Sequence, residues 1–278
     1  LADVSFDVRR GEVHALVGEN GAGKSTLINL VSGVLTPDAG TILLDGQPTE
    51  LRDPVRARQL GVITVHQEAE LFPTLSTAEN LALSFGLPTR TGLVDWRRIE
   101  RDARGVTAEL GEPIPTGVDA AQLSVGQRQM LHVAAAVLHK AAVVVLDEPT
   151  SALSAKETAW LFERIAQLKQ AGTGIIYVSH RQDEIFALAD RVTVLRDGRR
   201  VWSGRTAETG PRQLIEQMVG REYATTARRV STRHVLAAPA RFEIEQLATR
   251  DGVVRGVDLS VAAGEIVGLY GLMGAGRT

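Results

Sequence analysis

The 278-residue chain has no cysteine, which excludes disulfides, zinc thiolates and thiol nucleophiles. Aromatic residues make up only 4%, and lysine occurs only at positions 24, 140, 156 and 169 among 31 basic residues. A net charge of -2 gives no reason to expect nucleic acid or an anionic membrane surface as the main partner. No stretch reaches the roughly 18 uninterrupted apolar residues of a membrane span. The longest candidate, Val133 to Leu146, is broken by His139 and Lys140. The first residues mix acids and bases without the apolar core of a signal peptide. With 44% hydrophobic and 23% charged residues, the composition is close to that of an ordinary soluble globular protein.

The order of local patterns predicts strands alternating with helices. Residues 3–8 and 12–17 read as two strands about a turn at Arg10-Gly11, followed by a glycine-rich loop and a helix from Lys24 to Ser32. Strands are expected at 41–44, 62–65, 143–146 and 174–178, and a hairpin about Asp197-Gly198. The block 68–140 reads as helical, with a capping box at Ser76 to Glu79 and a cap at Asp95. A second capping box, Ser154 to Glu157, opens another helix; two more follow at 182–189 and from Pro211. The expected fold is α/β, with 68–140 inserted as a helical subdomain.

Residues 221–240, rich in Arg, Thr and Ala, read as a linker between a first domain, 1–220, and the start of a second, 241–278. Gly11-Glu12 recurs as Gly264-Glu265, Gly18 as Gly271, and Gly21-Ala22-Gly23 as Gly274-Ala275-Gly276, every pair 253 positions apart. Val4, Val8 and Leu16 recur as Val257, Val261 and Leu269 in the same register. The chain thus reads as most of a first copy and the opening of a second, a fragment of a longer protein.

Gly18, Glu19, Asn20, Gly21, Ala22, Gly23, Lys24 and Ser25 fit the phosphate loop G-x-x-x-x-G-K-[ST], with Thr26 next in the helix. Glycines let the backbone amides turn inward on phosphate oxygens, and the helix adds its positive N-terminal end. Lys24 then reaches the terminal phosphates and the Ser25 hydroxyl holds Mg²⁺. A buried strand, 143–146, ends in Asp147 and Glu148, placing one carboxylate for Mg²⁺ and one as general base. Ser124, Gly126 and Gln127 open the helix before that strand, a position suited to an anion. Gln67 and His180 each end a strand. Any of these alone would be a bland turn, cap or polar strand end.

Together and in this order they resemble the ABC ATPases, a P-loop NTPase family. The resemblance identifies Leu123 to Gln127 as the signature, Gln67 as the Q-loop glutamine and His180 as the switch histidine. It implies catalytic roles for Glu148, His180, Gln67 and Lys24, Mg²⁺ contacts from Ser25, Gln67 and Asp147, and ATP as the nucleotide. Val125, the run Gln127 to Met130, and Ser179 to Ile185 are similar to the tandem ATPases of monosaccharide importers. So is 271–278, a second phosphate loop with Arg277 in place of Lys. That resemblance implies permease subunits, an extracytoplasmic sugar-binding protein, a second ABC domain and a place on the cytoplasmic membrane face. Ser154 stands where many relatives have an Asp, so the corresponding loop role is not carried over. The adenine-stacking aromatic of the family has no counterpart in 1–17, where Phe6 alternates with Val4 and Val8 as a core residue would. The other histidines, at 14, 66, 132, 139 and 234, and the tryptophans, at 96, 160 and 202, lack ligand spacing. A translation-factor-like tandem ATPase is the alternative, but resembling members carry a long charged linker, against about 20 residues here.

Overall fold

The computed structural model describes the whole chain except residues 66–70, 86, 109–113, 139–140, 152, 221–238, 251, 253 and 270–278. It divides into two units, Leu1–Tyr223 and Ala224–Thr278.

The first unit is built on a six-stranded sheet. In chain order its strands are β1 (Val13–Val17), β4 (Val62–Val65), β7 (Val143–Asp147), β8 (Gly174–Val178), β9 (Arg191–Arg196) and β10 (Arg199–Arg205). Between β1 and β4 lie α1 (Lys24–Val31), the short hairpin β2 (Leu43–Leu44) and β3 (Gln47–Pro48), and α2 (Pro54–Gln59). Across the sheet the order is β10-β9-β1-β8-β7-β4. All neighbours run parallel except β10, which returns antiparallel to β9. Every residue of β1 and β8 is buried, as expected for strands covered on both faces.

Alternation along these strands sorts the core into two layers. Leu16, Val145, Ile176, Val178 and Leu195 face α1, packing with Ile28. Val13, Val144, Leu146, Ile175 and Tyr177 face the other way, onto Leu161, Ile165 and Leu168 of α6 (Ala155–Gln170). Beyond the sheet's middle, α7 (Gln182–Leu188) and α8 (Pro211–Val219) bring Ile185 and Leu214 against Val17, Val192 and Val194.

The inserted block has its own core. It contains α3 (Thr77–Phe85), α4 (Trp96–Ala108) and α5 (Val125–Leu138). Leu81, Ile99, Ala103, Val106, Met130 and Leu131 pack together there. Both arms of the Ser76–Glu79 capping box form, and Asp95 accepts from the Arg98 amide at the head of α4. The block is not wholly helical, because β5 (Thr89–Arg90) and β6 (Leu93–Val94) form a small hairpin within it. Trp160 packs against both this core and that of the sheet.

Two further expectations need correction. Residues 3–8 carry no strand ladder, although Val4, Phe6 and Val8 pack against the α1 layer. The strand expected at 41–44 shrinks to β2, ending in a turn where Asp45 and Gly46 both have positive φ, 50° and 78°. The second unit contains an antiparallel pair, β11 (Ala240–Leu247) and β12 (Val257–Ala262). Most of the expected linker, 221–238, and the second glycine-rich loop, 271–278, lie outside the described residues, as do His66, His139 and His234.

Candidate functional site

Parallel strands leave their carboxyl ends along one edge of the sheet, where ligands of open α/β folds bind. The loop after β1 carries Gly18 to Gly23, β7 ends on Asp147 and Glu148, and β8 leads to His180. Those three strands are adjacent in the order β1-β8-β7.

The glycine loop is shaped by close approach as much as by backbone freedom. A Cβ on Gly18 would run into the backbone carbonyl of Leu195 on the neighbouring β9 and crowd Ala22. Gly23, with φ 103°, is the N-cap of α1 and supplies no side-chain cap. The first intrahelical bond is Leu27 N–H to Gly23 O (3.0 Å), so the amides of Lys24, Ser25 and Thr26 have no intrahelical acceptor. Ser25, Glu19 and Asn20 are exposed beside them. An uncapped helix start behind a glycine loop is a cradle for phosphate oxygens.

Lys24 lies across this loop. Its ammonium donates to the carbonyls of Gly18 (2.7 Å) and Glu19 (3.0 Å). Partial burial lowers its pKa, while the charges of Glu148 and Asp147 oppose that shift. Both acids are therefore electrostatic neighbours of Lys24.

Glu148 sits at the turn out of β7 with φ 45°, a left-handed conformation uncommon for a residue with a side chain. Its N–H extends the β7–β8 ladder by donating to Val178 O (2.9 Å), and its C=O accepts from the Ser151 amide (3.2 Å). Its Oε1 lies 3.1 Å from Nδ1 of His180, whose side chain is 67% exposed against 22% for Glu148. A carboxylate held by an imidazole and open to solvent on one side can take a proton from water.

The structure thus brings Lys24, Asp147, Glu148 and His180 together. Gln67 lies outside the described residues. Ser124, Gly126 and Gln127 form a separate feature at the head of α5. The Ser124 amide donates to Gln127 Oε1 (2.9 Å) and the Gln127 amide to Ser124 Oγ (3.1 Å), a reciprocal cap. Among the described residues, no hydrogen bond or ion pair joins Ser124 or Gln127 to Lys24, Glu148 or His180. Gly126 is buried, and a Cβ there would run into the Glu157 carboxylate of α6. That carboxylate is fixed in turn by the Ser154 amide (2.7 Å), completing the predicted capping box.

The sequence gives no role to Glu184, which is buried. The signal available was its place in the run Ser179 to Ile185, which marked a family without explaining the acid.

A family model for the ABC transporter domain matches residues 1–151. The ribose import ATP-binding protein RbsA of Chromobacterium violaceum is 44% identical over 100% of this chain and 55% of its own length. Ribose import ATP-binding protein RbsA 1 of Rubrobacter xylanophilus is 46% identical over 100% of this chain and 54% of its own. The chain therefore spans about half the length of the curated relatives it matches. A solved ATP binding subunit of an ABC transporter superposes with TM-score 0.63 at 27% identity, over 80% of this chain and 88% of that one. The cbiO1 structure from Clostridium perfringens shares the fold, with TM-score 0.61 at 24% identity over 78% of this chain and 84% of that one. With a phosphate-loop lysine, two strand-end carboxylates and a histidine converging on one sheet edge, the chain has the P-loop NTPase fold and belongs to the ABC transporter family.

Proposed function

We propose that the chain is the ATP-hydrolysing part of a sugar importer's energy-coupling subunit. The observation carrying this reading is the His180–Glu148 pair beside Lys24 and Asp147, at the open end of β1, β8 and β7. A phosphate cradle without a water-activating group would suit nucleotide binding alone. Here a carboxylate and an imidazole stand next to the cradle, as hydrolysis needs.

ATP is the substrate. The loop amides and the start of α1 bind its phosphates, and Lys24 turns from the Gly18 and Glu19 carbonyls to the terminal phosphate. Glu148 takes the proton of the attacking water while His180 holds the carboxylate and the terminal phosphate in one line. Ser25 and Asp147 offer the hard oxygen donors that suit Mg²⁺, and Gln67 is a further donor by sequence. Bound there, the ion would neutralise charge developing on the phosphate oxygens. By the family resemblance, the signature at Ser124 to Gln127 serves the nucleotide site of a second ABC domain, of which the repeat beginning near 241 is the opening.

The importer reading rests on relatives named for ribose import. A permease and an extracytoplasmic sugar-binding protein are the partners it requires, with the subunit peripheral on the cytoplasmic face. No helix among the described residues is long and apolar enough to cross a membrane. Ribose is the first substrate to assay.

The test uses the full-length protein with its permease. Lys24→Ala should lower ATP turnover by about 10² to 10³, since Lys24 compensates charge that grows in the transition state. Arg277→Ala should leave most turnover, because a guanidinium in the second loop does not reproduce a compact ammonium. Full turnover by Lys24→Ala would sink the assignment. Equal loss from both would mean that both sites hydrolyse.

A further inference from the structure

Glu184 is 2% exposed in the first turn of α7, and the mechanism above gives it no task. Its carboxylate accepts three hydrogen bonds and pairs with one cation. Oε2 takes two of the bonds, from Tyr177 OH (2.8 Å) and Ser179 Oγ (2.9 Å). Oε1 takes the third from Thr150 Oγ1 (2.7 Å) and forms an ion pair with the Arg181 guanidinium (3.1 Å). The Ser179 hydroxyl oxygen also accepts the Arg181 amide (3.0 Å).

The donors come from the two segments that do the chemistry. Ser179 and Arg181 flank His180, and Thr150 follows Glu148 by two residues across Pro149. An acid in a first helical turn ordinarily serves that helix's own amides and dipole. Glu184 instead directs its three hydrogen bonds and its ion pair to side chains from β8, the His180 segment and the turn after β7. Burial raises the pKa of the Tyr177 hydroxyl, and the Glu184 charge raises it further, so this donor keeps its proton.

We propose that Glu184 is a positioning residue: its carboxylate locks the His180 segment to the Glu148 segment, so that His180 Nδ1 meets Glu148 Oε1 in register with the nucleotide. The proposal rests on Glu148 being the general base. The Glu148 backbone is held by its bonds to Val178 and Ser151, whereas the largely exposed His180 side chain is not fixed by its own packing. The common carboxylate adds a side-chain tie between the two segments. Displacement of a catalytic pair by about 1 Å can cost on the order of a hundredfold in rate.

Glu184→Ala is a poor test, because three hydroxyl donors and a guanidinium lose their partner and the unit can unfold. Thr150→Val and Ser179→Ala each remove one hydroxyl with little change of shape. In the full-length protein with its permease, each should lower kcat about tenfold. KM for ATP should stay within about twofold and the melting temperature near the parental value. The double variant should be no slower than the slower single, because each cut breaks the same link between segments. Parental kcat in either single variant, losses that multiply in the double, or a loss carried by KM or by melting overturns the proposal. Glu148→Gln, measured alongside, separates the two levels: normal turnover in that variant removes the general-base reading itself, whatever the hydroxyl variants do.

Discussion

Replacing Glu148 by asparagine and, separately, by glutamine should separate what this residue costs the fold from what it does for the chemistry. Its φ of 45° lies in the left-handed region, and the conformation is fixed on both sides by its bonds to Val178 and Ser151. Side chains with a Cβ pay roughly 1 to 2 kcal/mol there, and Asn less than most because its short amide bonds locally. Both substitutions remove the same charge from beside Asp147 and Lys24, and both weaken the contact with His180. That contact is 67% exposed on its histidine side and contributes little to stability in any case. These shared terms cancel in the comparison, leaving the backbone. Asn should therefore be more stable than Gln by about 0.5 to 1 kcal/mol, or about 1 to 4 °C in melting temperature for a unit of this size. Turnover should fall by about 10² or more in both. Thermal unfolding belongs in nucleotide-free, metal-chelated buffer, because bound ATP would add its own stabilisation. If Asn proves no more stable than Gln, the turn stores no strain and the left-handed geometry has no energetic consequence.

Two other outcomes follow from contacts outside the catalytic pair. Gly126→Ala should destabilise by about 1 kcal/mol although alanine is the better helix former, because its Cβ displaces Glu157 and so breaks the cap on α6; a variant that melts higher than the parent in the same scan would contradict this. His14, buried between Asp7 O and Thr193, has its pKa lowered to about 4 from 6.5 by burial and by the Arg191 charge. Folding favours its neutral ring, so its contribution is complete above about pH 6.5 and is lost as pH falls toward 4. The loss is on the order of 3 kcal/mol, and chemical denaturation of parent and His14→Gln between pH 7 and 4.5 should show a flatter profile for the variant.

What could be read from residue order was chemistry that depends on residue type at fixed spacing. A phosphate loop needs glycines where the backbone turns or approaches a neighbour, and Gly18 against Leu195 shows the second need directly. The strand-end acids and His180 were legible because a parallel sheet brings successive carboxyl ends to one edge. Caps were equally plain, since Ser76 to Glu79 and Ser154 to Glu157 are complete within four residues. Failures came where a pattern reports something other than what it was taken for. Alternation in Val4, Phe6 and Val8 reports which side chains are covered, and it does so correctly, yet it carries no information on ladder pairing. The helix α2 had its signal in Asp53-Pro54, whose carboxylate accepts the Arg56 amide, but six residues are too few to show a period. The β5–β6 hairpin is shorter still, made by positive φ at Thr91 and Gly92.

Glu184 marks a different limit. An acid in the first turn of a helix is unremarkable in sequence, and no spacing rule joins it to Thr150, 34 residues earlier. Only the sheet does so, by laying β8 beside β7 so that the segments leaving both strands pass over the same point. The candidate catalytic groups were identifiable from their order and spacing along the chain, because each is a particular residue type beside a strand end. The group that aligns them is identifiable only through its neighbours, and its chemistry requires no more than an acceptor buried at that point. A hydroxyl removed from Thr150 or Ser179 therefore tests the alignment more cleanly than any change to Glu184 itself, since it deletes one bond while leaving the buried charge three partners.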